Sequence, residues 1–517
     1  MEVHDPVDQP DTITAAQPVT TNSTTTPELD LRAPPGVFVD GDWKATAGGA
    51  SFDTICPATG DVIGTVAEAT APDVDLAVRA ADAAFAAWSR TTTEQRHDLL
   101  VALAERIEAD RDRLTLIEVV DTGSTISRMR SDMVNAARLL RMYAGLARQL
   151  RGSTIPVGPN TLAYTVREPY GVVAHIVPFN HPLMFAAQAI GAALAAGNTI
   201  VLKPSEYTPL STRELAELAR DLFAPGVVNV LTGFGASCGA HLASHPLVRK
   251  VFFRGSVPTG RSVAAACASR GVPFELELGG KNPFLVWPDA DVPAAVRGAV
   301  AGLNLGHQGQ SCGSATRLLV HDDVYEDFRD ALVDAFAKIK VGFPWEPDAD
   351  MGAMVSTPQY DRVIGYLDLE STPGARILAG GGPVDDRRLD GGLFVQPTVV
   401  EVTDASLPIA TEEIFGPVTC LMRWNDEDEV IEQANSLDYG LTASVWSRDL
   451  ATAHSTARRL EAGVVWVNQH GPRPAGVPIG GRKASGTGKE LSLEEVDAYT
   501  QEKTVLVALP ERGGSGG

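Results

Sequence analysis

The 517-residue chain is poor in several features that would direct it to other tasks. It has only five cysteines, Cys56, Cys238, Cys267, Cys312 and Cys420, scattered without metal-ligand spacing. An odd, dispersed set argues against a disulfide framework and against a zinc or other metal site. No apolar run approaches the roughly 20 residues that span a bilayer. The opening MEVHDPVDQP is acidic and proline-broken rather than basic and then apolar, so no secretory signal is expected. Positive charge is also in the minority, 43 Lys and Arg against 65 Asp and Glu, a formal −22. That balance disfavours nonspecific contact with nucleic acid or an anionic membrane, though it leaves room for an anionic ligand in a local pocket. Together these absences predict a soluble, cytoplasmic protein with neither nucleic acid nor membrane as partner.

The chain does have apolar content, 44%, enough for a sizeable core divided among two or three domains. Residues 1–30 are rich in Thr, Pro, Asp and Gln and predict a disordered tail; the terminal GGSGG predicts a flexible end. From Pro72 to Leu150 apolar residues recur at three- and four-residue spacing, the pattern of helices packing one face. Ser153–Gly171 turns strand-like around Gly-Pro-Asn and reads as a projecting hairpin whose edges want a partner.

Continuous apolar strands then alternate with helices: VVAHIV, TIVLK, VVNVL, KVFF and FELEL. This is the signature of a parallel sheet covered on both faces, and such sheets bind ligands beyond their carboxyl ends. VVAHIV contains Ile176 and leads to Pro178, Phe179 and Asn180. Lys203, Ser205 and Glu206 lie at the end of TIVLK, Gly235 and Gly239 follow VVNVL, and KVFF brings Phe253 ahead of Gly255 and Ser256. Glycines let backbone approach a phosphate, and Ser256 at a helix start adds a hydroxyl to amide donors favoured by the helix dipole. Lys203 and Glu206 suit ribose hydroxyls, and a carboxylate there disfavours the additional phosphate of NADP. GSVPTG, Gly255–Gly260, is not a GxGxxG fingerprint.

A second α/β unit follows, and within it GHQGQSCGS, Gly306–Ser314, sets Cys312 in a small glycine-punctuated loop. A thiol there can act as a nucleophile if a base is at hand. ELGGKNP offers Glu277, 35 residues earlier, whose burial would raise its proton affinity and suit it to take a proton from a thiol or a water. Glu275, two residues deeper on the same strand face, reads as structural.

PFNHP, AAGNTIVLKPSE, FFRGS, LELGGKNP, GQSC, EEIFGPV, YGLTASVW and GGRKASG occur in this order over residues 35–505. In them the chain resembles the NAD(P)-dependent aldehyde dehydrogenase superfamily. The resemblance implies two doubly wound α/β domains plus a small β oligomerisation flap. Residues 31–150 and 171–278 would form the Rossmann-like NAD-binding domain, 279–490 the catalytic domain, and 151–170 with 491–510 the strands that build a homodimer or homotetramer. It implies Cys312 as nucleophile, Glu277 as general base and Asn180 as oxyanion donor. Glu413 and Phe415 would hold the nicotinamide ribose and ring, while Ile176, Pro178, Phe179, Lys203, Ser205, Glu206, Gly235, Gly239, Phe253, Gly255, Ser256 and Leu278 complete the cofactor site. NAD is the expected cofactor, with NADP the alternative, and the implied reaction is oxidation of an aldehyde to a carboxylic acid through a thioester. Glu277 favours hydrolysis over transfer to coenzyme A, because acyl-transferring members often lack a glutamate there. A coenzyme A-acylating semialdehyde dehydrogenase and a non-catalytic relative are the alternatives.

Departures from the family pattern gather near the expected aldehyde pocket. Arg254 stands where threonine is usual, with contact to cofactor phosphate, contact to substrate, or a side chain turned away as the alternatives. Ile479 replaces an aromatic, Arg473 is the nearest equivalent of a second aromatic, and Gly306 and His307 stand where a bulky residue is common. With His181, Phe185 and Gln188 on the helix after Asn180, they predict a channel suited to a polar or carboxylate-bearing aldehyde, with Arg473 or Arg254 as counter-charge.

Overall fold

The computed structural model describes residues 24–510. Of the predicted tail, residues 1–23 lie outside this range, as does the terminal GGSGG. Residues 24–30 lie along the body: Thr26 Oγ1 donates to Asp61 at 2.6 Å, and Leu29 packs on two apolar clusters. The helical stretch resolves into four helices, Ala71–Trp88, Thr93–Ala109, Arg111–Thr122 and Ile126–Leu146. HDLLVALAERIEADRDRLTLIEVVDTG is thus two helices, broken where Asp110 leaves helical geometry at ψ 13°.

Two twisted sheets organise the molecule. In the first, the parallel strands run Val228–Val230, Thr199–Lys203, Val172–Ile176, Val248–Gly255 and Phe274–Leu278 across the sheet. Val172–Ile176 comes first in the chain yet lies in the middle, so successive connections diverge on either side of it. That is a topological switch point, where a crevice opens beyond the carboxyl ends. Asn180 and Ser256 follow the two strands that flank it. The Val172–Ile176 strand and the helix after it, Pro182–Ala195, are almost wholly buried between the sheet and the preceding helices, which fixes the backbone leading into Asn180.

The second sheet has parallel strands in the order Thr398–Val402, Val418–Trp424, Ala315–His321, Asn282–Val286, Thr442–Trp446 and Val464–Val467, with Ala375–Ala379 antiparallel at one edge. It too is doubly wound. Phe274–Leu278 ends the parallel run of the first sheet and Asn282–Val286 begins the second, so Glu277 lies at the seam between them.

Thr154–Pro156, Thr161–Pro169 and Thr500–Ala508 form a separate three-stranded antiparallel sheet, the expected flap. Within 491–510, Leu493–Ala498 is a short helix rather than strand. Within PIGGRKASGTGKE, Gly486–Thr487 forms an antiparallel strand beside Leu276 and Glu277. Gly486 makes this approach possible: its φ is +141°, and a Cβ there would stand 2.2 Å from the Leu276 carbonyl oxygen. Among the described residues no helix is long and apolar enough to cross a membrane.

Candidate active site

Cys312 is partly exposed, whereas the other four cysteines are buried and unpaired. Its loop is held by backbone geometry and by side-chain amides. Asn304 and Gln308 adopt left-handed conformations. Gly309, φ +70°, passes so close to Gly416 that a Cβ would meet its carbonyl oxygen at 2.1 Å. Asn282 Nδ2 donates to the carbonyls of Cys312 and Ser314, both at 2.8 Å. Asn282 lies within LELGGKNP, but its contacts span 30 and 32 residues, so local pattern carries no sign of them.

Cys312 and Glu277 both border two cavities, one on each side of them. The first has a volume of about 530 Å³ and is walled by Pro178, Phe179, Gly255, Ser256, Leu278, Glu413 and Phe415, all expected at the cofactor, together with Asn180, expected as the oxyanion donor. Phe179 and Phe415 meet edge to face at 5.6 Å between ring centroids. Ser256 caps the helix Val257–Ala268 by accepting from Thr259 N at 3.4 Å, so the amide-rich helix start faces this cavity. Glu413 accepts from Gly280 N at 3.0 Å, and burial pushes its carboxyl up to about 7. Gly279 is obligatory beside it, since a Cβ would lie 1.9 Å from Glu413 Oε2.

The remaining expected cofactor residues, Ile176, Lys203, Ser205, Glu206, Gly235, Gly239 and Phe253, are not in this cavity wall. They lie on or just beyond the neighbouring strands of the same sheet. Lys203 Nζ donates to Pro204 O at 2.8 Å and to Glu206 Oε2 at 3.4 Å, and Gly239 lies beside the Lys203 methylenes. Sequence reasoning missed Gln359 and Arg362. Gln359 Nε2 donates to the carbonyls of Ile414 and Phe415 at 3.0 and 2.8 Å, and Arg362 donates to Glu413 O at 2.6 Å. Both come from the helix Thr357–Leu367, about 50 residues away in the chain, and they fix the Glu413–Phe415 segment.

The second cavity, about 380 Å³, brings together His181, Phe185, Gln188, Arg473 and Ile479 with Arg128, Arg138, Trp466, His470 and Glu490. Arg473 lies against the nucleophile loop: a Cβ on Gly313 would stand 2.3 Å from its NH2 nitrogen. Arg138 and Arg473 make no ion pair among the described residues. Two expected residues are not in this wall. Gly306 faces an open depression on the other side of Arg128, and His307, 1% exposed, sits behind His181 and bonds to Ser124 and Arg128. Gln188 reaches the wall, yet its amide is taken up by Glu495 at 3.1 Å.

Arg254 is turned away from both cavities. It is 2% exposed, donates to Glu490 at 2.9 Å and to His175 Nε2 at 2.8 Å, and lies over the Phe185 ring. It therefore serves as neither substrate counter-charge nor cofactor contact, because its guanidinium neutralises the partly exposed Glu490 and, at 4.0 Å, buried Glu495. Glu275 is paired with Lys250 at 2.9 Å, the structural role expected of it.

The electrostatics suit proton transfer. Glu277 is half-buried, its open part facing the cavities, but the surrounding protein is close enough to dominate: burial first, then Glu490, push its carboxyl up to about 7, against the opposing pull of Arg254, Cys312 and Arg473. Burial, and after it Glu277, push the Cys312 thiol well above its ordinary value. The resting thiol thus keeps its proton until a base removes it. Asn180 Nδ2 donates to Gln310 O at 2.9 Å, which orients the amide and leaves a second N–H for an oxyanion; its buried Oδ1 has no partner among the described residues.

Known proteins resemble this chain along most of its length. The Aldehyde dehydrogenase family model matches residues 43–505. The chain is 42% identical over 481 residues to an aldehyde dehydrogenase of Talaromyces stipitatus, covering 92% of this chain and 93% of that one. It is 41% identical over 478 residues to a hydroxyisobutyraldehyde dehydrogenase of Mycolicibacterium austroafricanum, covering 92% and 94%. Among solved structures, betaine aldehyde dehydrogenase of Staphylococcus aureus in complex with NAD+ superposes with a TM-score of 0.90 at 37% identity, covering 94% of this chain and 97% of that one.

Proposed function

The chain belongs to the aldehyde dehydrogenase family, and from that premise we propose that it oxidises a polar or carboxylate-bearing aldehyde to the acid, with NAD as hydride acceptor and Cys312 as nucleophile. The observation that carries this reading is the position of Cys312 and Glu277, shared by a cofactor-sized cavity on one side and an aldehyde-sized cavity on the other. The first cavity fits a dinucleotide: Ser256 opens a helix at its wall, Gly279 leaves room for Glu413, and the Phe415 backbone turns into it at φ +60°. Lys203 and Glu206 would take the adenosine ribose, and the Glu206 carboxylate disfavours NADP.

Glu277 receives the Cys312 proton as sulfur attacks the aldehyde carbon. The Asn180 amide and the Cys312 backbone N–H stabilise the oxyanion of the thiohemiacetal. Bound nicotinamide supplies a two-electron acceptor for the hydride. The acyl group stays on Cys312 as a thioester; Glu277 releases the thiol proton to solvent through its open side and then takes a proton from water, which attacks the acyl carbon, breaks the C–S bond and releases the acid as the Cys312 thiolate is reprotonated from Glu277. Arg473, beside the nucleophile loop, and Arg138 supply positive charge for a substrate carboxylate.

NADH formation with an aldehyde panel, with and without coenzyme A, tests the reaction. Formation independent of coenzyme A is expected; an absolute requirement for it would assign the acyl-transfer alternative, and no turnover the non-catalytic one. For the substrate, semialdehydes bearing a carboxylate should exceed their neutral analogues in kcat/KM, and Arg473→Ala should erase the difference. Equal rates in both proteins would overturn that part. The flap exposes Ile155, Val157, Leu162 and Leu506, and pairing with a second copy would cover them, giving a homodimer or homotetramer in the cytoplasm.

A further inference from the structure

Three ligand-type side chains, Asp132, His181 and His307, converge beside the aldehyde cavity with their polar atoms within 4.8 Å of one another. The spacing alone suits a cation, but the hydrogen bonds assign the lone pairs otherwise. Arg128 Nε–H donates to His307 Nε2 at 2.6 Å, which leaves the His307 proton on Nδ1, facing Ser124 Oγ at 3.2 Å. Both nitrogens of that ring are therefore occupied. The Arg128 guanidinium also stands 3.2 Å from Asp132 Oδ1. A metal ion would have to expel a cation already paired there.

The same accounting applied to His181 leaves one atom over. Asp132, wholly buried on the helix Ile126–Leu146, accepts from His181 Nδ1 at 2.6 Å. A carboxylate can only accept, so the proton is on Nδ1. Burial, with Arg128 and Arg473 nearby, opposes a second proton more than Asp132 favours one. The ring is neutral and Nε2 is a lone pair. That atom has no protein donor among the described residues, although His181 is only 7% exposed and lines the aldehyde cavity. His470, also in the wall, has no such vacancy: Ser444 Oγ lies 2.7 Å from its Nδ1 and the Gly313 carbonyl 3.0 Å from its Nε2. His181 also adjoins Asn180 in the chain, which places it near the reacting carbonyl.

We propose that His181 Nε2, held as an acceptor by the Asp132–His181 hydrogen bond, receives a hydrogen bond from a hydroxyl group of the substrate, so that the preferred substrates are hydroxylated aldehydes. This rests on the aldehyde-oxidising reading above and adds the group that the arginines do not recognise: they donate, and a neutral nitrogen acceptor selects a donor. Asp132 acts through His181 and is a positioning residue.

The test compares kcat/KM for matched pairs, 3-hydroxypropanal with propanal, 4-hydroxybutanal with butanal and 4-hydroxybenzaldehyde with benzaldehyde. In the wild type at least one hydroxylated member should be favoured about tenfold, the worth of one net hydrogen bond. His181→Phe, which keeps a ring and loses the acceptor, should bring that ratio to about one, and His181→Gln, whose amide oxygen can accept, should restore part of it. Each ratio is taken within one protein, so a general loss of turnover cancels. Ratios within about twofold of one for all pairs in the wild type would mean that water satisfies Nε2 equally well and would overturn the proposal. A wild-type preference unchanged in His181→Phe would place the hydroxyl elsewhere and overturn it too. In both cases NADH still forms and the oxidation reading stands; absence of NADH with every aldehyde overturns both.

Discussion

Replacing Glu277 by glutamine removes the one group that the structure places against both cavities with a proton affinity near neutrality. With its carboxyl at about 7, the ionised fraction rises from about one tenth at pH 6 to about nine tenths at pH 8, roughly a tenfold change in available base. The sign follows from the chemistry: a base must be deprotonated, so the hydrolytic rate climbs with pH through that window. Glu490 raises the Glu277 value, while Arg254, Cys312 and Arg473 lower it; none of the four replaces it as a base at the junction. Glu277→Gln should lower steady-state turnover by about 100- to 10,000-fold, the usual range for a lost general base, and abolish the pH dependence between about 6 and 8. Rapid-mixing measurement of NADH separates its two proton transfers. A burst of one NADH per subunit, with the acyl group trapped on Cys312 by hydroxylamine, means that deacylation is the step lost. No burst means that thiol deprotonation fails first. Turnover within about tenfold of the wild type, with the pH dependence intact, would refute the assignment.

Asn180→Ala should reduce kcat by about 100- to 1,000-fold, the cost of one oxyanion donor, with little change in thermal stability; near-normal kcat with chemistry rate-limiting would place the donor elsewhere. Arg254→Met leaves Glu490 and Glu495 without their cation and should cost about 3–5 kcal/mol in urea unfolding, as breaking a buried pair does. Because burial pushes Glu495 up to about 8, that carboxylate takes up a proton as pH falls through this range, and its share of the loss should shrink. Gly279→Ala sets a Cβ where Glu413 Oε2 now stands and should raise KM for NAD more than KM for the aldehyde, read from initial rates with each substrate varied in turn. Glu206→Ala should raise kcat/KM for NADP relative to NAD, and an unchanged ratio would remove Glu206 from the ribose site.

Much of this site was legible before any coordinates, because the motifs carry backbone requirements that local sequence states directly. Glycines and Ser256 mark strand ends and helix starts, apolar runs mark the parallel strands, and the order of motifs marks the family. Cys312, Glu277 and Asn180, which the structure brings to one cavity wall, stand out for that reason. Asn282, Gln359 and Arg362 do not, since each acts by donating to carbonyls 30 or more residues away, and a hydrogen-bonding side chain has no periodicity that reveals its acceptor. The residues that set the aldehyde cavity were half legible. Arg473 stands out as a departure from the family pattern and His181 as a channel-facing residue, but Arg254 stands out equally and points the other way.

The sequence by itself determined the fold class, the strand ends where chemistry gathers, and the residues proposed as nucleophile and base, because each depends on residue type within a few positions of the chain. Only the tertiary structure decided which charges remain available. Arg254 is consumed by Glu490 and Arg128 by Asp132 and His307, while Arg473 and Arg138 stay unpaired among the described residues. That partition depends on partners brought together across as many as 236 residues. It also fixed the proton on His181 Nδ1, an outcome set by a carboxylate 49 residues away.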